Sequence, residues 1–169
     1  VDPDENRVHE LRRQYDRLGM YGTRIVAFAG DPGLFELPPY LANVLVSEEP
    51  RRFGLTRSAE RLTTLYDRLR PYGGTAYLPS DEVEYAGVVK QATDATLANA
   101  DVSRSEEFLR ITRSGALSGS ADWTHEYGDA SNTLMSHDQL VKAPLGVLWF
   151  GGPASDGSLF YNRHFWGPS

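Results

Sequence analysis

Two apolar runs held apart by turn residues most constrain what this chain can fold into. Residues 25–29 and 41–46 flank a segment carrying Gly30, Asp31, Pro32, Gly33, Pro38 and Pro39. A short apolar run bounded by such residues predicts a strand buried on both faces. Doubly buried strands are typical of parallel sheets covered by helices. In such sheets ligands bind at the carboxyl ends of the strands. Those ends carry Asp31 and the cluster Ser47-Glu48-Glu49, so a site is expected there.

The flanking pattern predicts the same class. Upstream, Val8, Leu11, Tyr15 and Leu18 recur at three- and four-residue steps, one apolar stripe of a helix. Asp4 or Asp2 suits its N-cap and Gly19 its left-handed stop. Downstream, residues 55–69 predict a second helix, with Thr56 or Ser58 as cap and Leu62, Leu65, Tyr66 and Leu69 inward. Arg70-Pro71-Tyr72-Gly73-Gly74 ends it, and residues 75–78 form a short strand. Asp81 caps a third helix reaching about residue 97, with Val83, Ala86, Val89 and Leu97 on its apolar face. Residues 100–104 and 108–113 alternate apolar and polar around Ser105-Glu106-Glu107, a hairpin signature. Helices and strands alternating in this way predict an α/β fold, a three-layer sheet closed at one edge by an antiparallel hairpin.

Composition narrows the function classes. A net charge of −6 and the lack of a long basic run argue against a nucleic-acid or anionic-membrane partner. The chain has no cysteine, which removes disulfides, thiolate metal sites and cysteine nucleophiles and leaves the compartment open. No apolar run approaches the roughly 20 residues that span a bilayer, and no secretory signal opens the chain. The start at Val1-Asp2-Pro3-Asp4, without methionine, leads us to expect polypeptide before residue 1 or a processed end. Hydrolase readings lack their main signatures, the Gly-x-Ser-x-Gly elbow and the phosphate-binding loop.

The composition changes after residue 113. Residues 114–120 are small, and we place a linker at 114–122. Residues 123–169 hold all three tryptophans and three of the four histidines. They contain one clear strand, 146–150, and no helical stripe of useful length. Such a segment is too short to build a core alone and is expected to pack on something outside itself. His125-Glu126-x-x-Asp129 echoes the helical zinc motif, in which ligands at i and i+4 share a face. Gly128 and the nearby aromatics argue against a helix, so loop hydrogen bonding stands beside metal ligation. His137-Asp138 and His164 suit loop hydrogen bonds. Trp123, Trp149 and Trp166 suit packing surfaces.

Val1-Asp2, Val26-Ala27-Phe28-Ala29-Gly30-Asp31, Ala42-Asn43-Val44-Leu45-Val46-Ser47 and Leu65-Tyr66-Asp67-Arg68-Leu69-Arg70-Pro71-Tyr72-Gly73-Gly74 together resemble the C-terminal two thirds of a class I S-adenosylmethionine-dependent methyltransferase. The resemblance implies an incomplete Rossmann-like half-domain over residues 1–113. It would place Asp2 at the ribose hydroxyls, Asp31 and Pro32 beside adenine, and Ser47 at the end of the fourth strand. The family's first strand and glycine-rich cofactor loop would lie before Val1. Leu37-Pro38-Pro39-Tyr40 is similar to that family's Asn-Pro-Pro-Tyr, but it has leucine for asparagine and precedes the fourth strand. Trp123-Thr124-His125-Glu126-Tyr127-Gly128-Asp129, with Ser131-Asn132-Thr133 and Ser136, resembles the opening segment of a quinoprotein (PQQ-type) β-propeller, with Leu145-Gly146-Val147-Leu148-Trp149-Phe150 as its first blade strand.

Each candidate residue also has a plain structural reading. Asp31 can cap a loop, Asp2 can cap a helix, and Glu48 and Glu49 can be solvated loop charges or general bases. The expected function is a degenerate methyltransferase-like structural or docking module of a larger propeller-containing bacterial protein. It would hold no cofactor by itself and would depend on the rest of that polypeptide or on neighbouring chains. The alternatives are an active methyltransferase, binding S-adenosylmethionine once upstream sequence or a partner completes it, and a fragment of a quinone-dependent oxidoreductase. The propeller resemblance implies export to the periplasm or beyond; active methyl transfer implies the cytoplasm.

Overall fold

Helix α1 spans Glu5–Arg17, and its cap is Asp4, whose side chain accepts from the N–H groups of Asn6 and Arg7. We describe residues 1–141 from a computed structural model. The chain divides into two units, Val1–Ala116 and Leu117–Ser169. Gly19 stops α1 in the left-handed region, at φ 64°. Only Val8 of the α1 stripe is buried, and Leu18 is 62% exposed.

The first unit is a mixed α/β structure with a four-stranded sheet and three helices. Strand β1 is Val44–Val46. A 3-10 turn over Pro50–Phe53 leads to α2, Ala59–Arg68, capped by Ser58. Strand β2, Gly74–Pro79, precedes α3, Glu82–Asp94, whose capping box joins Asp81 and Glu84. Strands β3, Ala100–Ser105, and β4, Phe108–Arg113, form the hairpin. The sheet order is β1-β2-β4-β3. β1 runs parallel to β2, with Val44 opposite Thr75, and β4 is antiparallel to both neighbours.

The expected core of α2 is present: Leu62, Leu65, Tyr66 and Leu69 are all at most 2% exposed. They cluster with Ala76 and Leu78 of β2, Leu109 and Ile111 of β4, and Val88 of α3. Burying each large side chain stabilises the fold by about 1.5–3 kcal/mol. Gly74 lets β2 begin close under the end of α2. A Cβ there would lie 2.5 Å from the Arg70 carbonyl oxygen and 2.8 Å from that of Ala42, so no larger residue fits.

Three expectations are corrected. Residues 25–29 do not form a doubly buried strand. They make single parallel bridges, Tyr21 with Ile25 and Asp2 with Ala29, while Val26 and Phe28 are 53% and 40% exposed. Asp2 is followed at once by Pro3 and the α1 cap, so the ladder cannot lengthen in that direction. The second run narrows from 41–46 to three residues, with Leu41 60% exposed and Ala42 only bridged to Leu69. The third helix is shorter and turned about its axis. Val83 is 80% exposed, whereas Val88 is buried and Tyr85 and Ala92 pack on the core. Packing of Val88 into the core fixes that rotation, and Gly87 suits it, because a Cβ there would lie 3.0 Å from Thr56 Cγ2.

Among the described residues the outer face of β1 and β2 is largely uncovered. Val44, Val46 and Tyr77 are 62%, 71% and 41% exposed, on the face opposite Ala76 and Leu78. In the second unit, the described residues 117–141 contain turns and one bridge, His125 with Gly128. The expected strand at 146–150, with Trp149, His164 and Trp166, lies outside the described residues.

The rotation of α3 is testable by chemical denaturation. Val88→Ala should cost about 1.5–3 kcal/mol, and Val83→Ala should stay within about 0.5 kcal/mol. A larger loss at Val83 would restore the original helix face.

Candidate functional site

Asp2 lies in a bridge and Pro32 in a turn, while Asp31 and Ser47 lie in irregular backbone; the side chains of Asp2, Asp31 and Ser47 bond locally. Asp2 accepts the Asp4 N–H at 2.9 Å through Oδ1, and its Oδ2 lies 3.5 Å from Arg7 Nε. Asp31 Oδ1 accepts the Gly33 N–H at 2.8 Å, and its carbonyl accepts from Leu34 and Phe35. The Asp31 side chain therefore makes the loop-capping bond open to an aspartate in a turn. Ser47 Oγ accepts the Glu49 N–H at 3.1 Å.

Two arginines that the sequence reading passed over bond to residues near these positions, Arg52 to Glu49 and Arg68 to the 32–35 loop. Arg52 donates to Glu49. The bond and charge of Glu49 raise the guanidinium pKa, and Asp31 and Asp2 are near enough to add to it. Among the described residues Glu49 is the carboxylate within ion-pair distance of Arg52. Arg68 is 6% exposed. It donates to the Pro32 carbonyl at 3.0 Å and to the Phe35 carbonyl at 2.7 Å. Burial lowers its pKa, although an arginine stays charged across the working pH range. The loop after the first apolar run is therefore held from beneath by a buried cation bonded to neutral carbonyls. A groove of about 600 Å³ beside it is lined by Gly33, Leu34, Leu37, Pro39, Asp67 and Arg68 among others, and its lining leaves out Asp31 and Ser47. Nothing in the local sequence separates Arg68 from the exposed arginines of other helices; its role depends on residues more than thirty positions away.

Arg113 makes a second buried anchor. Its Nη2 donates to the Tyr66 carbonyl at 2.9 Å and to Asp67 Oδ1 at 2.8 Å. The guanidinium lies 3.8 Å from the centre of the Tyr66 ring, a cation–π contact. A cation against the last carbonyls of α2 also complements that helix's dipole. Burial raises the Tyr66 pKa, with Arg113 opposing and Asp67 adding; the neutral hydroxyl donates to the Ala98 carbonyl at 2.7 Å.

In the second unit, His125 and Asp129 do not share a helix face. His125 bridges Gly128 in a tight turn, and Asp129 accepts from Ser131 N, Thr133 N and Thr133 Oγ1. His137 Nε2 lies 3.7 Å from Asp129 Oδ2. Asp138 accepts three backbone N–H groups, from Ala121, Leu140 and Val141. Among the described residues no group of three His, Cys, Asp or Glu side chains could hold a metal ion. No helix among them is long and apolar enough to cross a membrane.

No protein-family model, no curated protein and no solved structure matches this chain.

Hydrogen bonds from Val141, Ala121 and Leu140 hold the Asp138 carboxyl below the usual aspartate range. A depressed pKa stabilises the fold at pH values above the unfolded pKa, and that stability is lost as pH falls through the folded one. Carbon-13 titration should find Asp138 protonating below ordinary aspartates, with the Leu140 and Val141 amides losing exchange protection over the same acid interval. An ordinary midpoint would contradict the three-bond cap.

Proposed function

We propose that residues 1–116 are a degenerate, methyltransferase-like half-sheet that serves as a structural docking module of a larger propeller-containing protein. The observation that carries this reading is the outer edge of β1. The Thr75 N–H donates to the Asn43 carbonyl at 3.0 Å, and Val44 stands opposite Thr75. In a parallel ladder that alternation directs Leu45 to β2 and turns the N–H and C=O groups of Val44 and Val46 outward. Among the described residues nothing pairs with these groups, and an edge of this kind is a template for another strand. The exposed valine side chains add apolar surface beside it, in a sheet type that normally has both faces covered.

The arrangement of β2, β4 and β3 supports the resemblance, with an antiparallel strand between two strands of like direction. The state of the acids supports the degenerate reading. A ribose needs a carboxylate with acceptor positions turned to it, yet both oxygens of Asp2 already face Arg7 and the Asp4 N–H. Asp31 is folded back on Gly33. This local engagement of both acids supports the degenerate reading, and no catalytic step is assigned to them.

The test joins calorimetry with amide exchange on the purified chain. Titration with S-adenosylmethionine and S-adenosylhomocysteine should give no micromolar binding; clear micromolar binding would favour an active methyltransferase. The Val44 and Val46 amides should exchange far faster than Leu45. Equal protection at the three positions would mean that the edge is already covered, and the docking reading would fail.

A further inference from the structure

A second cleft, at the carboxyl end of β2, is separate from the strand ends discussed above. It has a volume of about 220 Å³. Its floor is Leu55, Leu78, Val88 and Leu109, all at most 5% exposed. Clefts that take drug-sized ligands run to roughly 300–1,000 Å³, so this one suits a single ring or a branched chain with a short polar arm. It also lies where open α/β sheets bind ligands, beyond the carboxyl end of a parallel strand.

The cleft is built rather than incidental. Its upper wall is the 54–57 loop, which presses on α3 where Gly87 leaves room only for the Thr56 side chain. Gln91 Nε2 donates to the Thr56 carbonyl at 3.3 Å, and the Arg57 N–H donates to the Gly54 carbonyl at 3.0 Å. Arg51 Nε bonds Glu84 Oε1 at 2.7 Å and closes one side. A wall already fixed in place lowers the ordering cost of binding.

The rim charges choose the ligand. Arg51, Arg57 and Glu84 line the cleft. Arg51 is paired with Glu84 at 2.7 Å and lies 3.9 Å from Asp81 Oδ2, so both nearby carboxylates already face that one cation. The Asp81 carboxylate, outside the lining, accepts the Glu84 N–H at the positive end of α3. Among the described residues no carboxylate lies within ion-pair distance of Arg57, so its guanidinium is the uncompensated charge over an apolar floor. The planar fork of a guanidinium matches a carboxylate. We propose that this cleft binds a small organic monoanion, a carboxylate carried on one aromatic or branched apolar group, with Arg57 as its counter-ion. This goes beyond the docking reading and does not depend on it.

The test is an NMR titration of the whole chain with phenylacetate, with phenethylamine as a cation carrying the same ring. Phenylacetate should shift Leu55, Leu78, Val88 and Leu109 saturably, with a Kd at or below roughly 1 mM, the range expected of so small a ligand. Arg57→Glu should weaken that binding at least about fivefold; Arg57 is exposed, so the fold should be unaffected, which the unligated spectrum checks directly. Absence of saturation, an equal response to phenethylamine, or an unchanged affinity in Arg57→Glu would each overturn the proposal.

Discussion

The first unit depends on one contact surface, the inward stripe of α2 against β2 and β4. Leu62, Leu65, Tyr66 and Leu69 project from one side of a ten-residue helix into a floor made by Ala76, Leu78, Leu109 and Ile111. A helix of that length is marginal in water and is held by tertiary packing. The same surface fixes where α2 ends, and its last residues then hold other parts in place. Asp67 and the Tyr66 carbonyl receive Arg113 from β4, while Arg68 reaches the 32–35 loop. Removing that packing would loosen β4 and the 32–35 loop together.

Packing on one side only explains the weaker half of the structure. β2 and β4 have helices over their Ala76 and Ile111 face and pair over six residues, and the edge strand β3 pairs over six as well because a tight hairpin joins it to β4. β1 has a neighbour on one side and exposed valines on the opposite face, and it pairs over three residues. The 25–29 run has even less support and makes only bridges. Apolar sequence supplies the tendency to form a strand; neighbouring strands and a covered face decide how much of one forms.

Legibility in the sequence follows the range of the interaction concerned. The α2 stripe was readable because four apolar residues share a single helical phase, and the hairpin because its alternation is local. Helix α3 offers two competing phases, one through Val83, Ala86 and Val89 and the other through Tyr85, Val88 and Ala92. Packing of Val88 against α2, β2 and β4 selects the second, and the close approach of Gly87 to Thr56, 31 positions away, is compatible with it. Asp2 and Asp4 both suit a cap by residue type, and only the course of the backbone selects Asp4. Arg68 and Arg113 could not be found at all, since an arginine becomes an anchor only when distant carbonyls surround it.

The division of labour between acids and arginines bears on what such a surface can do. Acidic residues at strand ends look like catalytic candidates because carboxylates tune readily when buried or paired. Here Asp2 and Asp31 are engaged by backbone N–H groups two residues away, and Asp2 also by a neighbouring arginine. A carboxylate used in this way stabilises a turn, and moving it toward a substrate would first undo that turn. Arg57 is placed differently: its charge has no carboxylate partner among the described residues, and the wall beneath it is held by other bonds. A charge that the fold does not use can be given to a ligand without loss of structure. Recognition is therefore better supported at the end of β2 than at the strand ends that first drew notice.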